Sequence, residues 1–253
     1  MQAYSPGFAR VYNRLWGRFA LQIAPLIQEY YESTPLGAHD RVLLDLCCGT
    51  GQLARYFLER GYDVIGIDLS DAMLCYAREN TAEYVLSEQA RFIQADASHF
   101  ELEHPVGLVV STFDALNHLD SFAALQSCFK SSYAALIDRG TFIFDLNTRS
   151  GLKQNWNSIT IEDADDLTLI NRGIFDGEGD RAYTRITGYI RLPDGHYERF
   201  EEMAYNTVFA MHDVQQALLE VGFRQFYSAS AQDLKTSVDD PERLGRVFFV
   251  VTK

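Results

Sequence analysis

An apolar segment followed by two closely spaced glycines has the composition of a ligand-binding turn. It reads VLLDLCCGTG over residues 42–51 and contains Asp45, Gly49 and Gly51. A buried strand that enters a glycine turn and then a helix brings backbone N–H groups close to a ligand, and a β-carbon at either glycine would hold that ligand away. Asp68 ends the next apolar segment, which predicts a ribose-containing ligand because a carboxylate there can accept both hydroxyl protons of a ribose.

This glycine turn is compatible with two classes of cofactor. Residues 49–54 read GTGQLA and satisfy the dinucleotide pattern G-x-G-x-x-G/A, so a nicotinamide-dependent oxidoreductase is one hypothesis. Asp45 favours a different class of cofactor, because a dinucleotide site has no particular need for an acid four residues before the first glycine. A carboxylate at that position can accept a hydrogen bond from an α-amino group.

The elements that must position these residues alternate between short β-rich runs and helical patterns. Apolar runs of this kind separated by helices imply a parallel sheet with right-handed crossovers. The predicted strands are 42–47, 63–68, 90–96, 106–112 and 140–147, and the predicted helices between them are 52–60, 71–80 and 122–136.

Two further segments surround this α/β core within a predicted single domain of residues 1–253. Apolar residues at three- and four-residue spacings over 8–31 predict one helix, in an N-terminal helical lid of residues 1–36. Residues 151–208 have period-2 patterns and turn signals, which predict an antiparallel insertion with a hairpin around the turn at 193–195. A helix over 212–221 and two closing strands complete a core of residues 37–150 and 209–253.

The motifs resemble those of the class I S-adenosylmethionine-dependent methyltransferases. The first motif of that family, D-x-x-x-G-x-G, corresponds to Asp45, Gly49 and Gly51, and the segment 68–74 (DLSDAML) is similar to the second. Asp96 and Ala97 resemble the adenine-binding pair after the third strand. The segments LVVSTFDALNHL and GTFIFDLN match the fourth strand with its loop and the fifth strand.

This resemblance implies a Rossmann-like sheet of seven mostly parallel strands in the order 3-2-1-4-5-7-6, with strand seven antiparallel. It implies S-adenosylmethionine as cofactor and transfer of its methyl group to an O or N atom of a small molecule. Cys47 and Cys48 depart from the family, which often has glycine or another small residue there. The cofactor contacts that the resemblance implies are Asp45, Cys47, Gly49, Gly51, Asp68, Leu69, Met73, Asp96, Ala97 and Phe113.

Methyl transfer from a sulfonium mainly requires alignment and exclusion of water, so a lid is expected more than a catalytic dyad. Tyr12, on the first helix with Tyr4 and Phe8, is one catalytic candidate; alternatively it is a core aromatic. His118 is the candidate general base because it follows the fourth strand at the ligand-binding edge; alternatively it is a packing histidine. Asp145 either meets a cationic substrate or anchors the insertion.

The insertion is expected to cover the substrate pocket or to pair two subunits as a homodimer. Its aromatic residues either form a substrate wall or stabilise the small sheet by cross-strand pairing. These residues are Trp156, Phe175, Tyr183, Tyr189, Tyr197 and Tyr205.

Composition narrows the partners further. A net charge of −13, from 35 acidic against 22 basic residues, argues against nucleic acid and anionic membranes. Four cysteines without metal-finger spacing and the lack of a signal peptide or long apolar run predict a cytoplasmic protein with no metal site. A non-catalytic cofactor-binding module remains a second hypothesis.

Overall fold

The computed structural model describes residues 4–253, which form an α/β core and a separate antiparallel sheet. The strands are β1 (Val42–Leu46), β2 (Asp63–Asp68), β3 (Ala90–Gln94), β4 (Val106–Ser111), β5 (Leu136–Asn147), β6 (Ile159–Ala164), β7 (Leu167–Ile174), β8 (Arg181–Arg191), β9 (Tyr197–Thr207), β10 (Gln225–Ser230), β11 (Asp233–Ser237) and β12 (Arg246–Thr252). The α-helices are α1 (Pro6–Leu15), α2 (Arg18–Glu32), α3 (Gln52–Leu58), α4 (Asp71–Asn80), α5 (Ala82–Leu86), α6 (Phe122–Ala135), α7 (Arg149–Asn155) and α8 (Met211–Val221).

The central sheet has the order β11-β10-β12-β5-β4-β1-β2-β3. The predicted order 3-2-1-4-5-7-6 is confirmed, since β12 takes the place of strand seven and runs antiparallel to both β5 and β10. An eighth strand, β11, was not predicted; it pairs antiparallel with β10 at the sheet edge. The sequence of β11, DLKTS, has no alternating apolar pattern that could predict a strand, because Leu234 is the one position of β11 that is buried.

Helices cover both faces of the central sheet and bury it. Apolar residues of α6 and α8 pack on one face, and those of α2, α3 and α4 pack on the other. Strands covered on both faces lose their polar alternation, and β4 is buried at every position. Because β1 pairs parallel with both β2 and β4, the carboxyl ends of these strands lie at one edge of the sheet.

The N-terminal segment forms two helices, whereas one helix over 8–31 was predicted. The chain breaks at Trp16 and Gly17 because the two helices have different partners: α1 packs on the small sheet, and α2 packs on the core. A β-carbon on Gly17 would lie 3.0 Å from Gln52 Cγ, so the close approach to α3 also favours glycine. Only α1 lies in the position expected of a lid.

The insertion contains a four-stranded antiparallel sheet in the order β6-β7-β8-β9. The predicted hairpin is present as β8 and β9, with Gly195 at a φ of +88° in its turn. The predicted start of the antiparallel segment at residue 151 is wrong, because residues 149–155 form α7. The Thr148 side chain caps this helix by accepting a hydrogen bond from Gly151 N at 3.1 Å.

Helix α1 and the inner face of the small sheet join through an apolar cluster. Phe8 and Val11 of α1 pack with Leu169, Ile186 and Phe200 of the sheet. At its edge, Arg14 pairs with Asp166 and Arg10 pairs with Glu198. We call residues 4–16 and 156–207 the roof.

A buried amide holds both ends of the insertion to the core. Asn117 Oδ1 accepts a hydrogen bond from Asn147 N at 2.9 Å, and Asn117 Nδ2 donates to Thr207 O at 3.0 Å. The loop after β4 is thereby tied to the points where the chain leaves and re-enters the core. Among residues 4–253, no helix has the length and apolar character needed to cross a membrane.

Candidate active site

A cavity of about 250 Å³ lies between the roof and the carboxyl ends of β1, β2 and β4. Its core wall consists of Cys47, Gly49, Asp68, Leu69, Met73, Thr112, Phe113, Asp114, Ala115 and His118. The roof contributes Tyr4, Phe8, Tyr12, Trp16, Trp156, Asn171, Thr184, Ile186, Ala204 and Asn206. Eight of the twelve residues predicted from sequence lie on this cavity; Asp45, Gly51, Asp96 and Ala97 do not.

The glycine turn after β1 approaches the cavity with its backbone. Gly49 has a φ of +54°. A β-carbon there would lie 3.4 Å from the Tyr12 ring and would occupy part of the space between the turn and α1. Gly51 has a different role: its φ is +80°, and a β-carbon would lie 3.1 Å from Ala77 Cα. Gly51 is therefore required for packing of α3 against α4. The sequence had instead predicted that Gly51 lets a ligand approach the backbone.

Asp68 is fixed at the edge of the cavity by two backbone donors. Its Oδ2 accepts from Gly49 N and its Oδ1 from Ser70 N, both at 2.9 Å. Burial raises the pKa of Asp68, and the hydrogen bonds from Ser70 and Gly49 oppose that rise. Each oxygen keeps a further lone pair, so the carboxylate is oriented and can still accept hydroxyl protons.

Asp45 lies behind the glycine turn, and one of its oxygens has no partner among residues 4–253. The residue is 3% exposed, and Oδ2 is buried without a hydrogen bond to any residue of that range. Burial and then the charge of Asp68 raise the pKa of Asp45 to about 7. A buried carboxylate oxygen without a partner is unfavourable, and a cationic or donor group on a ligand would relieve it.

Asp96 and Ala97 follow β3 outside the cavity lining. Asp96 Oδ1 accepts from Ser98 N at 2.8 Å and from Ser98 Oγ at 2.7 Å, so the turn is held by its own side chains. Their assignment to the adenine end of the cofactor stays a prediction.

The loop after β4 has an unusual backbone that a buried ion cluster holds in place. Phe113 and Asp114 both have positive φ, at +66° and +49°, which is unfavourable for side chains larger than glycine. Arg246 Nη2 lies 2.6 Å from Asp114 Oδ1, and Arg246 Nη1 also bonds Asp145 Oδ2. Asp114 N donates to the same Asp145 oxygen at 2.9 Å.

We call Arg246, Asp114 and Asp145 the Arg246 cluster. In this cluster Asp145 holds the loop after β4, and not the insertion that the sequence suggested, and Asp145 does not line the cavity. The Arg246 guanidinium also stands 5.5 Å from the centre of the Phe113 ring. Sequence inspection missed Arg246. The expected antiparallel pairing of the last strand could have identified it. That pairing, β12 beside β5, places Arg246 opposite Asn147 at the ligand-binding edge of the sheet.

His118 and Tyr4 meet across the cavity. His118 Nε2 lies 3.4 Å from the Tyr4 hydroxyl, and Tyr4 O accepts from Ser70 Oγ at 2.9 Å. Burial lowers the pKa of His118, although the charge of Asp114 and a hydrogen bond with the Tyr205 backbone oppose the shift. Neutral imidazole is thus favoured near pH 7, and it can accept a proton.

Tyr12 lines the same cavity on α1. Burial and the nearby Asp68 raise its pKa, so its hydroxyl remains protonated. Its ring centre lies 6.3 Å from that of Phe113 and 5.8 Å from that of Trp16. This position suits shielding of the cavity from water more than proton transfer.

The insertion aromatics mostly do not form a cavity wall. Trp156 lines the cavity, whereas Phe175 is buried in a cluster with Leu152 and Ala182. Tyr183, Tyr189 and Tyr197 are exposed, and they share the outer face of the sheet with Tyr205. Tyr183 and Tyr205 pair across strands, with ring centres 6.0 Å apart.

The residues present fit a cationic nucleoside cofactor. Asp68 and Asp114 line the cavity, and none of its described lining residues is Lys or Arg. The unpartnered Asp45 oxygen provides a further acceptor behind the turn. Within residues 4–253 no group of three His, Cys, Asp or Glu side chains is arranged to hold a metal ion.

Comparison with known proteins agrees with this fit. Residues 43–140 match the family model described as "Methyltransferase domain". Over 251 residues the chain is 28% identical to the putative methyltransferase YqeM of Bacillus subtilis (strain 168), covering 98% of this chain and 96% of that protein. The chain therefore contains a methyltransferase domain, and the solved structures that it resembles are class I S-adenosylmethionine-dependent methyltransferases.

This methyltransferase also resembles proteins of known structure and activity. An S-adenosylmethionine-dependent methyltransferase from Clostridium acetobutylicum ATCC 824 has the same fold, with a TM-score of 0.78, 22% identity and coverage of 97% of each chain. The dTDP-3-amino-3,4,6-trideoxy-alpha-D-glucopyranose N,N-dimethyltransferase of Streptomyces venezuelae is 24% identical over 188 residues, covering 73% of this chain and 76% of that protein. The methyltransferase is an enzyme whose cofactor is S-adenosylmethionine, and the hypotheses of an oxidoreductase and of a non-catalytic module are set aside.

Proposed function

We propose that the enzyme transfers the methyl group to a nitrogen or oxygen atom of a small molecule held between the core wall and the roof. The observation that supports this proposal is that Gly49, Asp68 and Met73 share one cavity with Asn171 and Asn206 of the insertion. A space of about 250 Å³ covered by a helix and a sheet suits a small acceptor better than a macromolecule.

S-adenosylmethionine, when bound, supplies an activated methyl group on a sulfonium. The chain has to align the acceptor, exclude water and leave the attacking lone pair free. Phe8, Tyr12 and Trp16 place three aromatic rings over the cavity. His118 Nε2, held near Tyr4, can take the proton that the acceptor loses and later release it to water.

The proposal is tested by measuring S-adenosylhomocysteine formation against a panel of small amines, phenols and hydroxy compounds. Wild-type turnover of at least one acceptor is expected. The His118→Ala variant should lower kcat by about 10²–10⁴-fold and leave S-adenosylhomocysteine affinity unchanged. The exposed His104 provides the matched control, and His104→Ala should behave as wild type. If the His118 variant turns over as fast as wild type, His118 is not the general base.

We also propose a homodimer formed through the outer face of the small sheet. Ile159, Ile161, Tyr197 and Met203 are exposed on this sheet, and apolar area of this kind favours association. Sedimentation equilibrium should show a dimer that Ile161→Glu converts to monomer. A monomeric wild-type enzyme would contradict this proposal.

A further inference from the structure

The inner face of the small sheet has two parts with different chemistry. Its apolar part, which includes Leu167, Leu169 and Phe200, packs against α1. Its polar part consists of Asn171 on β7, Thr184 on β8 and Asn206 on β9, all of which line the cavity. We call these three residues the polar diagonal.

The strand register explains why the polar diagonal is one surface. Asn171 pairs with Ile186, and Thr184 pairs with Ala204, which places all four side chains on the same face. Asn206 pairs with Ala182, two residues before Thr184. The three polar side chains therefore follow each other obliquely across adjacent strands.

Asn171 carries an acceptor that nothing in the described chain uses. Its Oδ1 is buried and has no hydrogen-bond partner. Asn206 differs, because its Oδ1 accepts from Asn147 Nδ2 at 2.8 Å and is thereby fixed to the core. Buried polar atoms are nearly always paired, so an orphan on a cavity wall indicates a ligand that pairs with it.

The charges around the cavity restrict that ligand further. Asp68 and Asp114 contribute the charged side chains of the described lining, which has neither Lys nor Arg. The nearby Arg246 is already paired with Asp114 and Asp145. A phosphate or carboxylate of the acceptor would lie beside these acids with no Lys or Arg of the described lining to compensate it, which is unfavourable.

We infer that the polar diagonal recognises the methyl acceptor, which presents an N–H or O–H donor to Asn171 Oδ1 and has neither phosphate nor carboxylate within the cavity. This inference rests on the proposed methyl transfer, because it assumes that the acceptor occupies the roof side. A nucleotide-linked acceptor would have to keep its phosphates outside the cavity.

The test uses the full chain saturated with S-adenosylhomocysteine and ligand-observed NMR. The probes are matched triplets on several ring scaffolds, among them tyrosol, its dimethyl ether and 4-hydroxyphenylacetate. Within a triplet, the ether removes the hydrogen-bond donors, and the carboxylate adds a negative charge. We expect the donor-bearing neutral member to bind at least about tenfold more tightly than either of the others.

Variants assign this preference to the polar diagonal. Asn171→Leu should abolish the difference between alcohol and ether, whereas Asn171→Asp, which keeps an acceptor, should retain it. Thr184→Val should weaken binding of the alcohol. Thr187→Val, on the outer face of the same strand, should not.

The outcomes separate this inference from the proposed function. If S-adenosylhomocysteine binds all variants with unchanged affinity but the carboxylates bind as well as the alcohols, the inference fails and methyl transfer stands. It also fails if Asn171→Leu keeps the wild-type preference or if no donor-bearing probe binds. If the wild-type chain does not bind S-adenosylhomocysteine, the proposed function and this inference fail together.

Discussion

The two walls of the cavity are built in different ways. The core wall depends on backbone: Gly49, Phe113 and Asp114 have positive φ, and Asp68 is held by two backbone N–H groups. The roof depends on side chains that project from a helix and a sheet, such as Tyr12 and Asn171. The core wall can therefore present the same contacts to one cofactor, while the roof can change its chemistry by single substitutions.

The two walls also differ in the interactions that hold each of them together. The Arg246 cluster holds the core wall with buried charges, and Asp145 is fully buried. Within the roof, α1 is held to the small sheet by apolar packing and by ion pairs whose members, such as Arg14 and Asp166, are about half exposed. Exposed pairs contribute little to stability, so the apolar cluster provides most of the attachment of α1 to the small sheet.

Removal of the Arg246 side chain should have the largest effect on the core wall. Arg246→Ala leaves Asp114 and Asp145 buried without their cation, which costs about 3–5 kcal/mol of unfolding free energy. It also releases the strained Phe113–Asp114 turn, so S-adenosylhomocysteine affinity should fall. Urea unfolding and calorimetric titration measure the two effects.

The control for this prediction is Arg243→Ala. Arg243 pairs with Asp240 and its side chain is 85% exposed, so its loss should leave both quantities near wild type. Equal effects of the two substitutions would show that the Arg246 cluster does not hold the turn.

Phe8→Ala should separate the roof from the core wall. Phe8 is 3% exposed and touches both the small sheet and the cavity, so truncation should cost up to about 3 kcal/mol in the packing of α1. We expect methyl transfer to fall more than tenfold, about 1.4 kcal/mol, while S-adenosylhomocysteine affinity changes less than threefold, about 0.7 kcal/mol. A parallel loss of both would mean that α1 serves the cofactor as much as the acceptor.

Much of the core wall was predictable because its signals are local. The β–glycine–α pattern is continuous in sequence, and its acids, Asp45 and Asp68, lie within the last two residues of β1 and β2. The Arg246 cluster was missed because its members lie at the ends of β4, β5 and β12 and meet only through strand register.

The roof was predicted less well for a related reason. A period-2 pattern shows which side chains share a face of a sheet, but not which face is turned to the cavity. A substrate wall and cross-strand pairing therefore both stayed open for Tyr183 and Tyr189. The structure places these tyrosines on the outer face, and the wall side carries Asn171 and Thr184. The helix break at Gly17 depends on contacts with α3 that the helical stripe does not reveal. The cytoplasmic location stays a prediction from sequence.

Asp45 makes cofactor binding by the core wall sensitive to pH. Its pKa of about 7 means that the carboxylate loses its charge as the pH falls through 7. If Asp45 interacts with the cofactor ammonium, affinity for S-adenosylhomocysteine should be highest above pH 7 and decrease by up to about tenfold per unit below it. Titration from pH 8 to pH 6 should show this slope, and Asp45→Asn should flatten it.

The smallest effect is expected at the edge of the roof. Arg14→Ala removes an exposed pair with Asp166 and should lower the Tm by less than about 2 °C. Differential scanning calorimetry beside Phe8→Ala provides the comparison. A decrease in Tm as large as that caused by Phe8→Ala would mean that ion pairs hold α1 to the small sheet.

Calorimetric titration of S-adenosylhomocysteine into Asp68→Ala and Asn171→Leu tests most directly whether the two walls divide the work. Loss of a charged hydrogen-bond acceptor costs about 1.5–3 kcal/mol, so the dissociation constant of Asp68→Ala should rise by about 10–100-fold. Asn171→Leu should bind as wild type does. Unchanged affinity in Asp68→Ala, or an equal loss in both variants, would contradict a division in which the core wall binds the cofactor and the roof binds the acceptor.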